Sequence, residues 1–575
     1  AQGLRFPSLA AGTFLSVLGM TVESALPVKL LAEFVGTFAL VFTIGCNVIA
    51  GSPVWGAVSI GCVLMVFIYA LGGVSGGNFN PAVSLALTLS KVLGGPGLDS
   101  VTMFLYIVVQ VLGGVAAALS FKGLFGESVV LQPQESFEMI SAVLCEVFYT
   151  FMLCFVVLNV AVAKENSPNK FYGLAIGFVI VAAAYGAGAV SGGSFNPAVS
   201  IGLNSRSMQR IDCMLNYTIA EFVGAVLAAV FFRVVRPEDF GVEQREPSVL
   251  SQLVSEFLGT FMLVLTVGLN VLGHSAAGAF SIAASLMCMI YALGNVSGAH
   301  FNPAVTVAIV ASGGLQAAKA LGHIVAQIFG GIAAALTYHG IYVLSMYSKG
   351  GAYLAKDGKR SLSITPGAGY TVTQAMHAEC FFTFVLCYVV LTVAVAKVTH
   401  NSTMFGLAIG SCVTVGGNAI GAVSGGSLNP AVSIGIFAGT LASGGGGATT
   451  AANVDYYIVA ELVGALIAAC IFKVTHAVDA VAGQDKESEP LLDSTLDSNS
   501  DVESYGARGA AVDTLGGKDK QSEPPAKQED DVEKGGGSVA SVGAQGGKDK
   551  ENEPLAKQED DVENHGAGGA SAKEG

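Results

Sequence analysis

Two kinds of residue in this chain could do chemistry, and each occurs four times. The first is the asparagine of an Asn-Pro-Ala triplet, met in SGGNFNPAVSLAL (75–87), SGGSFNPAVSIGL (191–203), SGAHFNPAVTVAI (297–309) and SGGSLNPAVSIGI (424–436). An Asn-Pro pair flanked by small residues looks like a surface turn, since proline restricts the residue before it and lacks an N–H, yet its surroundings here are apolar. The second is a glutamate within an apolar run, in the pattern Glu-x-x-x-Thr: Glu33, Glu146, Glu256 and Glu379. An ionisable group in such surroundings is costly and usually functional, as in a proton-coupled transporter. No nucleophile, base and oxyanion donors converge anywhere, so no enzyme is expected. The ten cysteines are scattered singly, without CxxC or a histidine at ligand spacing. They read as small buried hydrophobes, and neither a metal site nor a cofactor is expected.

Asparagine is a favoured N-cap, and proline at the first helical position loses no intrahelical hydrogen bond. Each triplet (Asn80, Pro81, Ala82; Asn196, Pro197, Ala198; Asn302, Pro303, Ala304; Asn429, Pro430, Ala431) is therefore expected to start a helix. The first runs about ten residues before KVLGGPG, which at about 1.5 Å per residue crosses only half of a hydrocarbon core. Two such half-helices entering from opposite sides would meet tip to tip, with Asn80 facing Asn196 and Asn302 facing Asn429. Irregular backbone at that depth survives only where protein covers it or where it lines a watery cavity. The helix-breaking clusters thus mark the walls of a pore.

The chain is 52% hydrophobic and 12% charged, with a mean hydropathy of +0.62, whereas soluble domains are about a quarter charged. An all-α transmembrane protein is expected. Twelve apolar runs lie near 28–50, 54–76, 101–123, 137–163, 171–190 and 212–235, and near 249–272, 277–297, 315–345, 373–396, 404–423 and 453–476. YIVVQVLGGVAAAL (106–119) returns as HIVAQIFGGIAAAL (323–336), so the chain is two halves. Within each half, AEFVGTF (32–38) echoes CEVFYTF (145–151), and SEFLGTF (255–261) echoes AECFFTF (378–384). A duplicated three-span unit makes each half an inverted repeat, and six spans per half make the halves parallel. The expected organisation is an N-terminal segment (1–27), a first unit (28–236), a charged linker (237–248), a second unit (249–476) and a tail (477–575). Gly113, Gly114, Gly224, Gly330, Gly331 and Gly464 suit close helix packing.

From Ala477 onward the chain carries 23 acidic and 10 basic residues, while the preceding 476 carry 19 and 18. The acid belongs to the tail, and nucleic-acid binding has no electrostatic support. The tail repeats GGKDKQSEPPAKQEDDVE (516–533) as GGKDKENEPLAKQEDDVE (546–563), a composition that cannot bury enough apolar surface to order itself. Its ESEPLL (487–492) resembles an acidic dileucine sorting signal, a match that a Glu-rich tail also produces by chance. At the other end, Pro7 argues against reading LRFPSLAAGTFLSVLGM as a signal peptide.

With four such boxes at matching places among the spans, residues 28 to 476 resemble the major intrinsic protein family, the aquaporins and aquaglyceroporins, as two six-span units fused in tandem. The resemblance implies that the asparagines donate hydrogen bonds to passing water and that the positive half-helix ends hinder protons. It also implies that Glu33, Glu146, Glu256 and Glu379 brace the loops. Glu221 and Glu461 stand where many family members have proline, and no role is assigned to them. His300, opposite Asn78 in the first half, reads as loop packing. The four filter positions of the family fall on Ile60, Ala184, Gly193 and Val199, and on Ile282, Gly417, Gly426 and Val432. The family's filter arginine is absent from both sets, which favours larger neutral solutes such as glycerol or urea. Ser200 and Ser433, where glycerol channels carry Asp, and Tyr217 and Tyr457, like the aromatic of water channels, pull the other way.

The expected function is a passive channel for water and small uncharged solutes, with two pores per chain. The alternatives are a twelve-span secondary transporter, which would use an Arg or Lys inside the membrane where these spans carry theirs only near the ends, and a closed-pore structural relative. Family analogy implies a homodimer forming a four-pore assembly in a eukaryotic plasma, vacuolar or endosomal membrane. Lys91, Lys164, Lys170, Arg233, Arg236 and Lys397 place both termini in the cytosol by the positive-inside rule. Lys349, Lys356, Lys359 and Arg360 on a predicted outer loop run against that rule, and the sequon at Asn401 falls on the cytosolic side.

Overall fold

In a computed structural model of the chain, the described residues are 26–134, 137–167, 169–205, 210–243, 246–348, 362–397, 399–400, 403–443 and 448–477. Asn401, the loop lysines from Lys349 to Lys359, Arg360, the dileucine-like stretch and the acidic tail lie outside them. The first half consists of α1 (Leu26–Ala50), α2 (Gly56–Ser75), α3 (Pro81–Val92), α4 (Ser100–Phe125), α5 (Met139–Val157), α6 (Tyr172–Ser191), α7 (Pro197–Asn204) and α8 (Ile211–Val235). The second half repeats this order as α9 (Val249–Leu272), α10 (Gly278–Ser297), α11 (Pro303–Ser312), α12 (Ala317–Ser348), α13 (Val372–Val390), α14 (Phe405–Ile420), α15 (Pro430–Ala442) and α16 (Ala448–Thr475). No strand occurs among the described residues.

Eleven of these helices are long and apolar enough to cross a membrane, against the twelve expected. The exception is α14, whose 16 residues stop at Ile420, four short of the matching end of α6. There the last turn is looser: Val423 and Ser424 both donate to the Ile420 carbonyl, and the Val423 carbonyl accepts from Gly367 of the preceding loop. The four half-helices α3, α7, α11 and α15 run 12, 8, 10 and 13 residues.

The half-helices sit close against the spans because glycine leaves room. A Cβ at Gly114 would lie 2.3 Å from the Ala198 carbonyl oxygen, and one at Gly331 would lie 2.4 Å from that of Ala431. At Gly113, Gly224, Gly330 and Gly464 a Cβ would likewise meet a backbone carbonyl of a neighbouring span at 2.3 to 2.7 Å. Six of the cysteines are buried, but Cys46, Cys62 and Cys380 are half-buried and Cys470 on α16 is exposed, so the reading of all ten as buried does not hold for these four.

The halves share one hydrophobic core. Helices α5 and α6 of the first pack against α9 and α10 of the second. Polar bonds cross this seam: Tyr149 donates to Thr266 (3.0 Å), Ser281 to the Ala182 carbonyl (2.9 Å) and Ser141 to the Ile341 carbonyl (2.7 Å). Between 72 and 78% of the apolar windows of α5, α6, α9 and α10 is buried, against 22% for α2 and 33% for α13. The charged connection between the halves is docked. Pro237–Phe240 form a 3₁₀ turn, and Phe240 packs edge-on against Phe232. The wholly buried Arg236 donates to Asn159 Oδ1 (2.7 Å) and to the Ala292 carbonyl of α10 (3.1 Å), with Glu165 and Glu238 within 4 Å.

Candidate functional site

Each triplet asparagine is an extended-backbone N-cap. Asn80 (φ −155°, ψ 119°) accepts the Ala82 N–H on its Oδ1 at 2.8 Å, and Asn196, Asn302 and Asn429 do the same for Ala198, Ala304 and Ala431. The amide nitrogens then reach across. Asn80 Nδ2 donates to the Phe195 carbonyl and Asn196 Nδ2 to the Phe79 carbonyl, both at 2.9 Å. Asn302 pairs with the Leu428 carbonyl and Asn429 with the Phe301 carbonyl at the same distance. The half-helices of each half thus meet tip to tip through reciprocal bonds. An amide nitrogen carries two N–H groups, and this one spends a single N–H on protein, which leaves the other for an occupant of the cavity the asparagines line. Two aligned donors, backed by two helix N-termini, favour an acceptor oxygen and disfavour a cation.

The residue before each asparagine is left-handed: Phe79, Phe195, Phe301 and Leu428 have φ between 50° and 56°. A bulky side chain there costs about 1–3 kcal/mol, so the surroundings must over-determine it. The glutamates do so. Glu33 accepts from Ser75 Oγ (2.6 Å), Asn78 N (3.0 Å), Phe79 N (2.7 Å) and Gln110 Nε2 (2.8 Å). Glu256 has the matching set in Ser297, His300, Phe301 and Gln327. Glu146 takes Ser191 Oγ, Ser194 N and Phe195 N, and Glu379 takes Ser427 N and Leu428 N. Each such bond contributes about 0.5–1.5 kcal/mol even to a neutral acceptor, so two to four together offset the strain. His300 packs in its loop, with Nδ1 3.1 Å from Thr306 Oγ1.

Several contributors carried no readable role in the sequence. Glu221 Oε1 accepts the Asn196 N–H (2.9 Å) and Ser200 Oγ (2.7 Å), and Glu461 Oε1 does the same for Asn429 (3.0 Å) and Ser433 (3.0 Å). Ser200 and Ser433 are therefore engaged with these carboxylates. Tyr217 and Tyr457 are fully buried and donate to the Ser191 and Ser424 carbonyls at 2.7 Å, so they pin the loops behind the pore wall. The signal for Glu221 and Glu461 was an ionisable group in an otherwise apolar span.

Ile60, Ala184, Gly193 and Val199 line one cavity in the first half, together with Asn80 and Asn196. Ile282, Gly417, Gly426 and Val432 line a cavity in the second half, together with Asn302 and Asn429. A Cβ on Gly193 would lie 3.8 Å from Ala184 Cα, and one on Gly426 would lie 3.3 Å from Gly417 Cα, so these pairs adjoin at a neck.

The model of one family, described as Major intrinsic protein, matches residues 21–232, 169–271 and 243–438. A glycerol uptake facilitator protein-like protein of Lactiplantibacillus plantarum is 36% identical over 220 residues, which are 37% of this chain and 99% of that one. Aquaporin AqpM of Methanothermobacter marburgensis is 30% identical over 246 residues (36% of this chain, 98% of that one). A probable aquaporin NIP-type of Nicotiana alata is 29% identical over 225 residues, covering 37% of this chain and 78% of the relative.

Proposed function

Since the chain belongs to the major intrinsic protein family, we propose that it is a passive membrane channel for water and small uncharged solutes, with one conduction path through each half. The observation that carries this reading is the reciprocal pairing of Asn80 with the Phe195 carbonyl and of Asn196 with the Phe79 carbonyl, repeated by Asn302 and Asn429. It fixes two donors side by side where the half-helices meet. A water or hydroxyl oxygen arriving there accepts from both and is turned so that its own hydrogens point away. The positive ends of the half-helices at the same place oppose a proton or metal cation. Ile60 with Val199, and Ile282 with Val432, act as the apolar walls of the two filters, with the Gly193 and Gly426 loops opposite. Without a fixed guanidinium, these necks discriminate by size more than by charge.

Stopped-flow light scattering of proteoliposomes tests the reading. A fast, unsaturable shrinkage in sucrose is expected. A slow, saturable rate would point to a transporter, and the lipid-only rate to a closed-pore relative.

The assembly we propose is a dimer of chains. By the repeat, α1 and α2 of the first half match α9 and α10, and α13 and α14 of the second match α5 and α6. The seam within the chain joins the second set of each pair. The exposed pair α1 and α2 and the exposed pair α13 and α14 then complement one another head to tail, and two chains close a four-path ring. Both termini face the cytosol of a eukaryotic cell in this arrangement, by the basic residues Lys164, Lys170, Arg233 and Arg236.

A further inference from the structure

Resting on the reading of one path per half, we infer that the two paths have diverged: the first passes water alone, and the second also passes uncharged solutes of the size of urea or a three-carbon polyol. The route through the first half is divided. A cavity of about 500 Å³ beside Asn47 and Tyr185 and one of about 400 Å³ beside Ile68 and Tyr172 are separated by a chamber of about 70 Å³ around Asn80 and Asn196. In the second half a single cavity of about 500 Å³ runs from Asn270 and His274, past Asn302 and Asn429, to Ala394.

The sequence supplies the cause. Aligned by the repeat, Ile44, Ile180 and Phe195 of the narrow chamber are Val267, Val413 and Leu428 in the second cavity. All three exchanges remove carbon from the wall, and they outnumber the two that add it, Gly77 to Ala299 and Asn78 to His300. The Phe195 ring adjoins the neck glycine, since a Cβ on Gly193 would come within 3.2 Å of it, and it packs on Tyr149. Leu428 is smaller and equally buried. Its Cδ1 fills the notch at Gly416, where a Cβ would lie 2.6 Å away, and the matching residue of the first half is Ala183, which has no such notch. Ala184 against Gly417 adds no space, because a methyl at 417 would press on Ala279 Cβ at 2.8 Å.

The mouths differ in chemistry as well. The Tyr185 hydroxyl donates to the Val54 carbonyl, tying α6 to the loop after α1. Among the described residues the matching Asn418 bonds only its own helix, donating to the Thr414 carbonyl at 2.8 Å, and its side chain is exposed at the cavity wall. Its amide oxygen is free to accept from a solute hydroxyl or amide.

Full-length protein in proteoliposomes separates the paths. Val199→Trp should plug the first and Val432→Trp the second. Val432→Trp is expected to abolish reswelling in glycerol and urea while water shrinkage persists, whereas Val199→Trp should slow shrinkage and leave reswelling intact. A milder set, Val267→Ile with Val413→Ile and Leu428→Phe, rebuilds the narrow chamber in the second half and should cut solute uptake by roughly tenfold or more. Equal loss of solute uptake from either plug would overturn the inference, as would solute uptake unchanged by the triple substitution. Fast shrinkage with no reswelling in the unaltered protein would also overturn it while leaving the reading of a water channel intact. Shrinkage at the lipid-only rate would remove the channel reading itself.

Discussion

Glu221 Oε1 accepts the main-chain N–H of Asn196 at 2.9 Å from a side chain that is completely buried, and its other oxygen has no hydrogen-bond partner among the described residues. The carboxyl of α8 therefore supports the pore asparagine from behind, as Glu146 supports the residues just before it.

Replacing Glu221 by Ala removes the acceptor for Asn196 N and for Ser200 Oγ. Leaving such donors unsatisfied costs about 1–3 kcal/mol, so a lower melting temperature in detergent and slower water flow through the first path are expected. Glu221→Gln keeps an acceptor oxygen at the same place and should retain most of both. Equal damage from Gln and Ala would mean that charge, not acceptor geometry, matters there.

Glu33→Ala should be more severe, because four donors lose one acceptor and Phe79 loses the bond that holds it left-handed. A destabilisation of about 3 kcal/mol or more is expected, read by thermal unfolding in detergent. Gln110→Ala, which removes one donor and leaves the loop bonds in place, should cost less.

Gly331→Val should displace α15, since even a Cβ would sit 2.4 Å from the Ala431 carbonyl oxygen. Loss of solute uptake with reduced folded yield is expected. Gly340→Ala on the same helix meets nothing within 4 Å and should be neutral or stabilising by about 0.5–1 kcal/mol, which makes it the control.

Val199→Arg and Val432→Arg introduce a fixed cation and donors at the neck of each path. Solute uptake should fall more than water flow in Val432→Arg, and Val199→Arg should change water flow alone. Reswelling in glycerol and in urea, measured on the same preparations, reads both.

Crosslinking in mild detergent should trap two chains, and cysteine pairs placed between α1 or α2 and α13 or α14 should raise the yield. A predominant four-chain product would exclude the head-to-tail ring. A glycan on Asn401 would reverse the proposed orientation.

The half-helices were legible because their signal is local: asparagine and proline set the cap within two residues, and the glycines before them cannot continue a span. Glu33 and Glu256 were legible as a repeated motif, but the main-chain donors that each accepts are set only by the folded loops. The role of Glu221 was not, since its partner lies 25 positions away, and only helix packing brings the α8 carboxyl behind Asn196. The burial of Arg236 was hidden for the same reason. It reads as a solvated basic residue at the end of the first unit until Asn159 and the Ala292 carbonyl are brought to it from either side. The early end of α14 follows from the loop that crosses it at Gly367, which no pattern within the span announces.

Arg236 also imposes an order on biosynthesis. One of its partners, Asn159, is already made when it leaves the ribosome, but the Ala292 carbonyl follows 56 residues later. Until α10 arrives, a guanidinium that ends fully enclosed must remain hydrated at the rim, and the faces of α5 and α6 stay open to lipid or to chaperones. The first half therefore closes around this guanidinium only once the second half has been made.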